Sequence, residues 1–533
     1  MIVAVIPAKE GSTRLPNKNL LKINGKTLIE HAVESAKKSN KIKKIYVSTD
    51  SNDIAELVTK TGIEVIRRGK ELSGEAPLID VYRHAWKKID NADITHIVGI
   101  QPDNPDRTTD IDAAVEYAIK TNIDNVFTVN REGKRNGALN ILNLNALSAQ
   151  PFVYSSSIRD DCTNIHSYFD YLMAAHNLSD YKERIPVAGR FIGKNEPVFV
   201  IAEAACNHMC QVDMAKKMID LAADAGVDAI KFQTYKAEKL ARREATTYWA
   251  GKTISQIEYY QRLDKFGQDE YRILFEYAGK KGIIGFSTPF DLDSASMLNE
   301  VGVPLFKIAS CDLPDKRLLR HIAGFNKPIL LSTGASTPEE IDGAVKTIFE
   351  KGNFQLVVLA CTLSYPTKDE DAYLLRIKSL QERYPNLTIG LSDHTEPDEN
   401  MIIPSVGVSL GAKVVEKHYT LDRSMTGSGH FYSVNPTDLK KMVANIRLTE
   451  KVMGKEGLAV LKAEKPARES ARRSIVAERA IKKGEVISSD MLGLKRPADG
   501  LSGDKIDLIL GKRARTDIKP DQMITLDMVE NNS

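Results

Sequence analysis

Disulfide chemistry is the first thing this sequence lacks: its 533 residues carry five cysteines, an odd number in a long chain. A cystine framework is therefore excluded as the source of stability, and a reducing cytoplasm is the expected compartment. Excess charge is missing too, since 74 Lys and Arg face 71 Asp and Glu. No global field then draws the chain onto nucleic acid or an anionic membrane. No apolar run approaches the ~20 residues of a membrane-spanning helix. The apolar start, Met1 to Ala8, meets Lys9 and Glu10 at once, which reads as a strand and not as a secretory leader. What remains is a globular composition, 42% hydrophobic and 27% charged, long enough for about three or four domains.

Residues 1–188 alternate β-branched runs at 2–8, 44–50, 63–68, 96–103 and 125–130 with segments such as 28–39, whose apolar spacing is near helical. That rhythm predicts a doubly wound, Rossmann-like α/β domain. The polar stretch 179–197 reads as a linker. Over 195–453 the alternation restarts, with strands at 198–203, 229–235, 282–290, 305–310, 328–334, 354–361, 388–394 and 414–420. Eight strand–helix units of this size match a TIM (β/α)8 barrel. A Lys/Glu/Ala-rich connector then leads to a small module, 472–533, in which AIKKGEVI (480–487) is echoed by DIKPDQMI (517–524). A module this short is near the limit for an independent core and is expected to lean on a partner surface.

Barrel active sites gather where strands end. Those ends carry Glu203, Lys231, Gln233, Thr288, Lys307, Ser310, Asp312, Ser332, Thr333, His394 and His418. Any one of them alone reads as a solvated loop-edge group. The set does not, because two lysines inside strands are costly unless an anion meets them. Lysines with hydroxyls point to a phosphate or a carboxylate. His394 and His418, 24 residues apart on neighbouring strands, suit a divalent cation that keeps positions open for substrate and water. A lone histidine is more often structural. CNHMC (206–210) invites a zinc reading, but Cys206, His208 and Cys210 do not follow a usual zinc spacing.

AEAACNHMCQVDMAKKMIDLAADAGVDAIKFQTYK (202–236), FSTPFD (286–291), KIAS (307–310), LSTG (331–334), CTLSYP (361–366), LSDHT (391–395) and VVEKHYTLDR (414–423) closely resemble the sialic acid synthases. Those TIM-barrel enzymes condense phosphoenolpyruvate with an N-acyl mannosamine. The tail 471–500 resembles their antifreeze-like (SAF, β-clip-like) domain. The resemblance implies that Lys231, Thr288, Lys307, Ser310 and Ser332 hold phosphoenolpyruvate, and that Gln233 orients the metal or the enol end. It implies that His394 and His418 bind Mn2+ or Mg2+, which polarises the aldose aldehyde, and that Glu203 stabilises the cation or activates water. Tyr365 would sit beside the sugar, and Arg496 would reach it from the neighbouring subunit of a homodimer. Three positions depart from the pattern: Asp312 stands for Glu, Gly429 (in GSGH) for Asp, and Leu363 for Asn. They leave the aldose open between an N-acetylmannosamine and a 2,4-diacetamido-6-deoxy sugar of the legionaminic type.

The loop PAKEGSTRLPNKNL (7–20), with VSTD (47–50), IEVIRRGKEL (63–72) and QPDNPDR (101–107), resembles the cytidylyltransferases that make CMP-sialic acid. By that resemblance Lys9, Ser12, Arg14 and Lys18 contact the phosphates of CTP, with Lys18 also catalytic. Arg68 and Gln101 contact the cytosine, and Asp103 binds Mg2+. Asn164 and His166 stand where paired metal aspartates are usual, with Asp160, Asp161 and Asp170 nearby as other carboxylates. The expectation is a bifunctional enzyme with domains at 1–188, 195–453 and 472–533, taking phosphoenolpyruvate, the aldose and CTP. Its rivals are a synthase with an inactive nucleotide-binding domain and a carbohydrate-binding protein without turnover.

Overall fold

The computed structural model describes residues 1–11, 14–73, 76–148, 154–247 and 254–530. They fall into two compact units, Met1–Met453 and Gly454–Ser533. No helix among them is long and apolar enough to cross a membrane.

The first unit begins with a seven-stranded sheet. Its spatial order is Glu64–Arg67, Lys44–Thr49, Ile2–Ala8, His96–Gly99, Arg135–Asn143, Asn125–Val129 and Ser155–Arg159. The first four are mutually parallel, so their C-terminal ends share one edge. Two strands escape the periodicity. Arg135–Asn143 (RNGALNILN) is rich in Asn and Gly, poor strand formers, and is held extended by antiparallel neighbours on both sides. Ser155–Arg159 (SSSIR) has one aliphatic residue and pairs parallel to Asn125–Val129.

Residues 179–197 are not the open linker expected. Arg184–Val187 and Arg190–Gly193 form an antiparallel hairpin, turned by Ala188 and Gly189, both at positive φ. Ile185, Val187 and Ile192 are buried in the barrel's core cluster.

The barrel strands are Phe199–Ala205, Ala229–Thr234, Ile284–Pro289, Phe306–Ile308, Ile329–Ser332, Leu356–Cys361, Thr388–Asp393 and Val414–His418. They form one eight-stranded parallel sheet. Ile284–Pro289 and Phe306–Ile308 lie side by side and bring the ring nearly to closure. In-register neighbours bring Glu203 beside Lys231 and His418, and Gln233 beside Thr288. Strand alternation splits Glu416, Lys417 and His418 between faces. Lys417 turns away from the axis and binds Asp393 at 2.6 Å.

Helix Tyr168–Asn177 docks the first sheet onto the strand-entry end of the barrel. His176 stacks on Phe349 at 5.3 Å and its Nε2 meets the Asn386 carbonyl at 3.0 Å. Burial lowers the His176 pKa to about 4. The folded value lies below the unfolded one, so the contact is fully present above pH ~6.5 and is lost as pH falls toward 4. Relative to His176→Phe, the wild type should lose about 2 kcal/mol between pH 7 and pH 5. Denaturant midpoints of both proteins check this, and buried His208 cancels in the difference.

The second unit has its own small core, which includes Ile475, Ile481, Ile487, Ile509, Ile518 and Ile524. The two echoed segments meet each other: Ile481 and Ile518 exchange backbone hydrogen bonds of 2.9 and 2.8 Å.

Candidate functional site

The barrel mouth is built around two buried ammonium groups. Lys231 Nζ donates to Thr288 Oγ1 at 2.7 Å and lies 2.7 Å from Glu203 Oε2. Lys307 Nζ donates to Ser332 Oγ at 2.7 Å. Glu416, which no strand-end rule singles out, lies between them, 3.8 Å from each. Both hydroxyl oxygens accept from a lysine, so each keeps its own hydrogen to donate elsewhere.

The two carboxylates diverge in charge. Burial raises Glu203 to about 7 against the pull of Lys231. Burial also acts on Glu416, but Lys231 and Lys307 outweigh it and hold this carboxyl below its ordinary range. Burial lowers the Lys307 pKa. Two buried lysines thus share this centre with one firmly ionised carboxylate and one whose pKa is raised, an arrangement that suits an incoming anion. Gln233 Nε2 donates to Glu203 Oε1 at 3.2 Å.

Above this centre His394 and His418 lie 5.3 Å apart, centroid to centroid. His394 Nδ1 is 2.9 Å from the Thr362 carbonyl, an orientation that leaves Nε2 as the ligating nitrogen. His418 Nδ1 is buried without a hydrogen-bond partner. Burial and the cations around it hold His418 well below the ordinary imidazole value, hence neutral. Two imidazoles so arranged fit one divalent cation, with substrate and water completing its shell. No cluster of three or more His, Cys, Asp or Glu ligands occurs among the described residues.

Tyr365 packs on His394 at 4.3 Å, and Tyr432 packs edge-on to His418 at 5.0 Å. Both rings, with Gln233, Ser310 and His418, line a cavity of about 230 Å³ whose further walls include Tyr235, Tyr259 and Leu363. Ser310 Oγ accepts from Gly334 N at 2.9 Å. Asp312 follows on the turn Ser310–Asp312, raised to about 7 mainly by burial. His208 is a packing residue: its ring stacks on Phe266 at 4.5 Å and its Nδ1 accepts from Cys210 N at 3.1 Å.

At the shared edge of the first sheet, Lys9, Lys18, Arg68, Gln101 and Asp103 line one cavity of about 200 Å³. Lys18 Nζ bridges Asp103 Oδ2 at 2.6 Å and the Ile165 carbonyl at 2.9 Å. Arg68 presents Nε and Nη1 without partners, although both are buried. Gly137, at φ 77°, lies against the Gln101 amide where a Cβ would collide, which keeps Gln101 at the cavity. Arg14 is exposed and does not line this cavity, and Ser12 lies outside the described residues.

Asp103 is the one carboxylate lining that cavity among the described residues. The nearby acids are already engaged. Asp106 accepts from Thr163 and Asn177, and Asp160 accepts from Thr108, Thr109 and Cys162. Asp170 caps its own helix through Ser167, and Asp161 pairs with Arg159 at 2.7 Å. Asp103, itself bridged by Lys18, is thus the carboxylate at this cavity that could hold a divalent cation, and the described residues present no paired-aspartate site there. In the second unit, Arg496 Nε donates to the Ala471 carbonyl at 2.9 Å.

Comparison with known proteins matches three family patterns in order: cytidylyltransferase over residues 3–179, NeuB family over 218–457 and SAF domain over 472–530. Uncharacterized protein MJ1065 of Methanocaldococcus jannaschii is 41% identical over 345 residues, 65% of this chain and 98% of that protein. The N,N'-diacetyllegionaminic acid synthase of Campylobacter jejuni is 37% identical over 331 residues, 61% of this chain and 98% of that protein. A crystal structure of spore coat polysaccharide biosynthesis protein E from Chromobacterium violaceum superposes with a TM-score of 0.53 at 28% identity, covering 63% of this chain and all of that one. By its barrel and these relatives, the chain belongs to the NeuB family, with a cytidylyltransferase domain ahead of the barrel and an SAF domain behind it.

Proposed function

We propose that the barrel condenses phosphoenolpyruvate with an N-acyl mannosamine-type aldose to a nonulosonic, sialic-type acid, and that the N-terminal domain activates this acid with CTP. The observation that carries the reading is the pair of buried lysines, Lys231 and Lys307, at strand ends beside two paired imidazoles: Glu203 lies 2.7 Å from Lys231 and in register with His418, and His418 lines the cavity. The ammonium groups, with Thr288 and Ser332, clasp the phosphate and carboxylate of phosphoenolpyruvate. His394 and His418 hold the divalent cation, which when bound acts as a Lewis acid on the aldehyde. Carbon–carbon bond formation leaves a cationic centre at the former enol carbon. Glu203, whose pKa burial raises to about 7, is placed in its ionised form to take the proton of the water that adds there, and phosphate leaves. In the first domain Lys9 and Lys18 steady the triphosphate while the acid's anomeric hydroxyl displaces pyrophosphate.

Two observations favour a 6-deoxy, diacetamido aldose over a fully hydroxylated one: Leu363 and several tyrosines wall the cavity, and the Campylobacter jejuni relative is a legionaminic acid synthase. The decisive experiment is a colorimetric assay for ulosonic acid from phosphoenolpyruvate, Mn2+ and an aldose panel. Product is expected with at least one acylamido aldose. His394→Ala should fold normally, bind Mn2+ more weakly and condense about 1000-fold more slowly. Undiminished turnover by that variant in excess chelator would remove the cation from the scheme. A protein that binds aldoses without forming ulosonate would instead be a lectin-like module.

A further inference from the structure

Gly429 and Tyr432 form a matched pair at the cavity, and this inference rests on the synthase reading above. A Cβ on Gly429 would overlap the Tyr432 hydroxyl and the adjoining ring carbons. The phenol therefore occupies the room that any larger residue at 429 would fill. Its ring also packs on His418 and, at 5.4 Å, on Tyr365, and both Gly429 and Tyr432 line the cavity. The cavity wall at this point is therefore a neutral donor–acceptor with an aromatic face.

We propose that Tyr432 is a specificity-determining residue that contacts the aldose, and that Gly429 is the cradle that admits it. A phenol donates one hydrogen bond and offers its face to C–H groups. The pair therefore selects an aldose that presents an acylamido carbonyl and apolar carbons to this wall, in place of a diol.

The test is a double-mutant cycle on the full chain with the preferred aldose. Tyr432→Phe should raise the aldose KM about tenfold while the phosphoenolpyruvate KM stays put, the loss of one neutral hydrogen bond. Gly429→Ala should lower kcat/KM for the aldose roughly 30-fold in the Tyr432 background, by displacing the phenol. In the Tyr432→Ala background the same change should cost less than about threefold, because nothing is left to displace. Mn2+ affinity should be the same in wild type and Tyr432→Phe. Equal costs of Gly429→Ala in both backgrounds overturn the proposal, as does a Tyr432→Phe variant that loses Mn2+ affinity or raises both KM values together. Those last results would make Tyr432 a brace for His418. Should Gly429→Ala fail to fold, the Tyr432→Phe split decides alone. A wild type that makes no ulosonate from any aldose overturns the synthase reading instead, and the two failures are distinguishable.

Discussion

Lys231→Met should lose the condensation reaction by at least about three orders of magnitude and lose stability at the same time. The ammonium touches Glu203 and Thr288 directly and faces Glu416. Without it two carboxyls share an apolar site beside Lys307 alone, and breaking a buried ion pair in this way costs about 3–5 kcal/mol. The two losses separate in a second variant. Lys231→Met with Glu203→Gln removes the orphaned charge and should regain most of the stability, read from the denaturant midpoint, with no return of activity. Lys231→Arg should also stay impaired, because a planar guanidinium does not fit a position shaped around a point charge. Condensation within tenfold of wild type in Lys231→Met would end the proposal that this centre clasps phosphoenolpyruvate.

Lys18→Ala should suppress CTP-dependent release of pyrophosphate by about 100- to 1000-fold, the usual cost of removing one charged group from a phosphoryl-transfer site. Condensation should be unchanged, since Lys18 belongs to the first sheet's cavity and touches no barrel residue in its bonds to Asp103 and Ile165. The variant also exposes what Asp103 does. With the ion pair gone, Asp103 meets Mg2+ without a competitor, so Mg2+ titration of the CTP-bound variant should saturate at lower concentration. A parallel fall in both activities would mean that the two sites are coupled through the fold.

The barrel was legible because short strand-like runs alternate with helix-length segments eight times, and few folds besides a closed ring repeat that rhythm. Glu416 stayed hidden within its strand. Inside VVEKHYT the period of two groups Glu416 with His418 and sets Lys417 apart, but which set faces the axis is decided by ring closure and by Asp393 waiting on the other side. Lys9, Arg14, Arg68 and Gln101 were picked out by the resemblance of their loops, and the parallel strands bring Lys9, Arg68 and Gln101 to one edge, whereas the Arg14 side chain is exposed. Tyr432 sits in no regular element, so no periodicity points to it, and the small neighbour that makes room for it was legible only as a departure from a pattern. Arg135–Asn143 shows the opposite limit, where two flanking strands override a composition that alone favours turns.

The docking helix has a consequence for traffic. It runs from beside Ile165, which touches Lys18, to His176 on Asn386, at the end of the barrel where strands enter. The imidazoles stand where strands exit, and the interior between is filled by buried side chains. The packed axis closes the straight path through the barrel, so a compound formed in one basin and consumed in the other within this unit would travel outside the barrel interior.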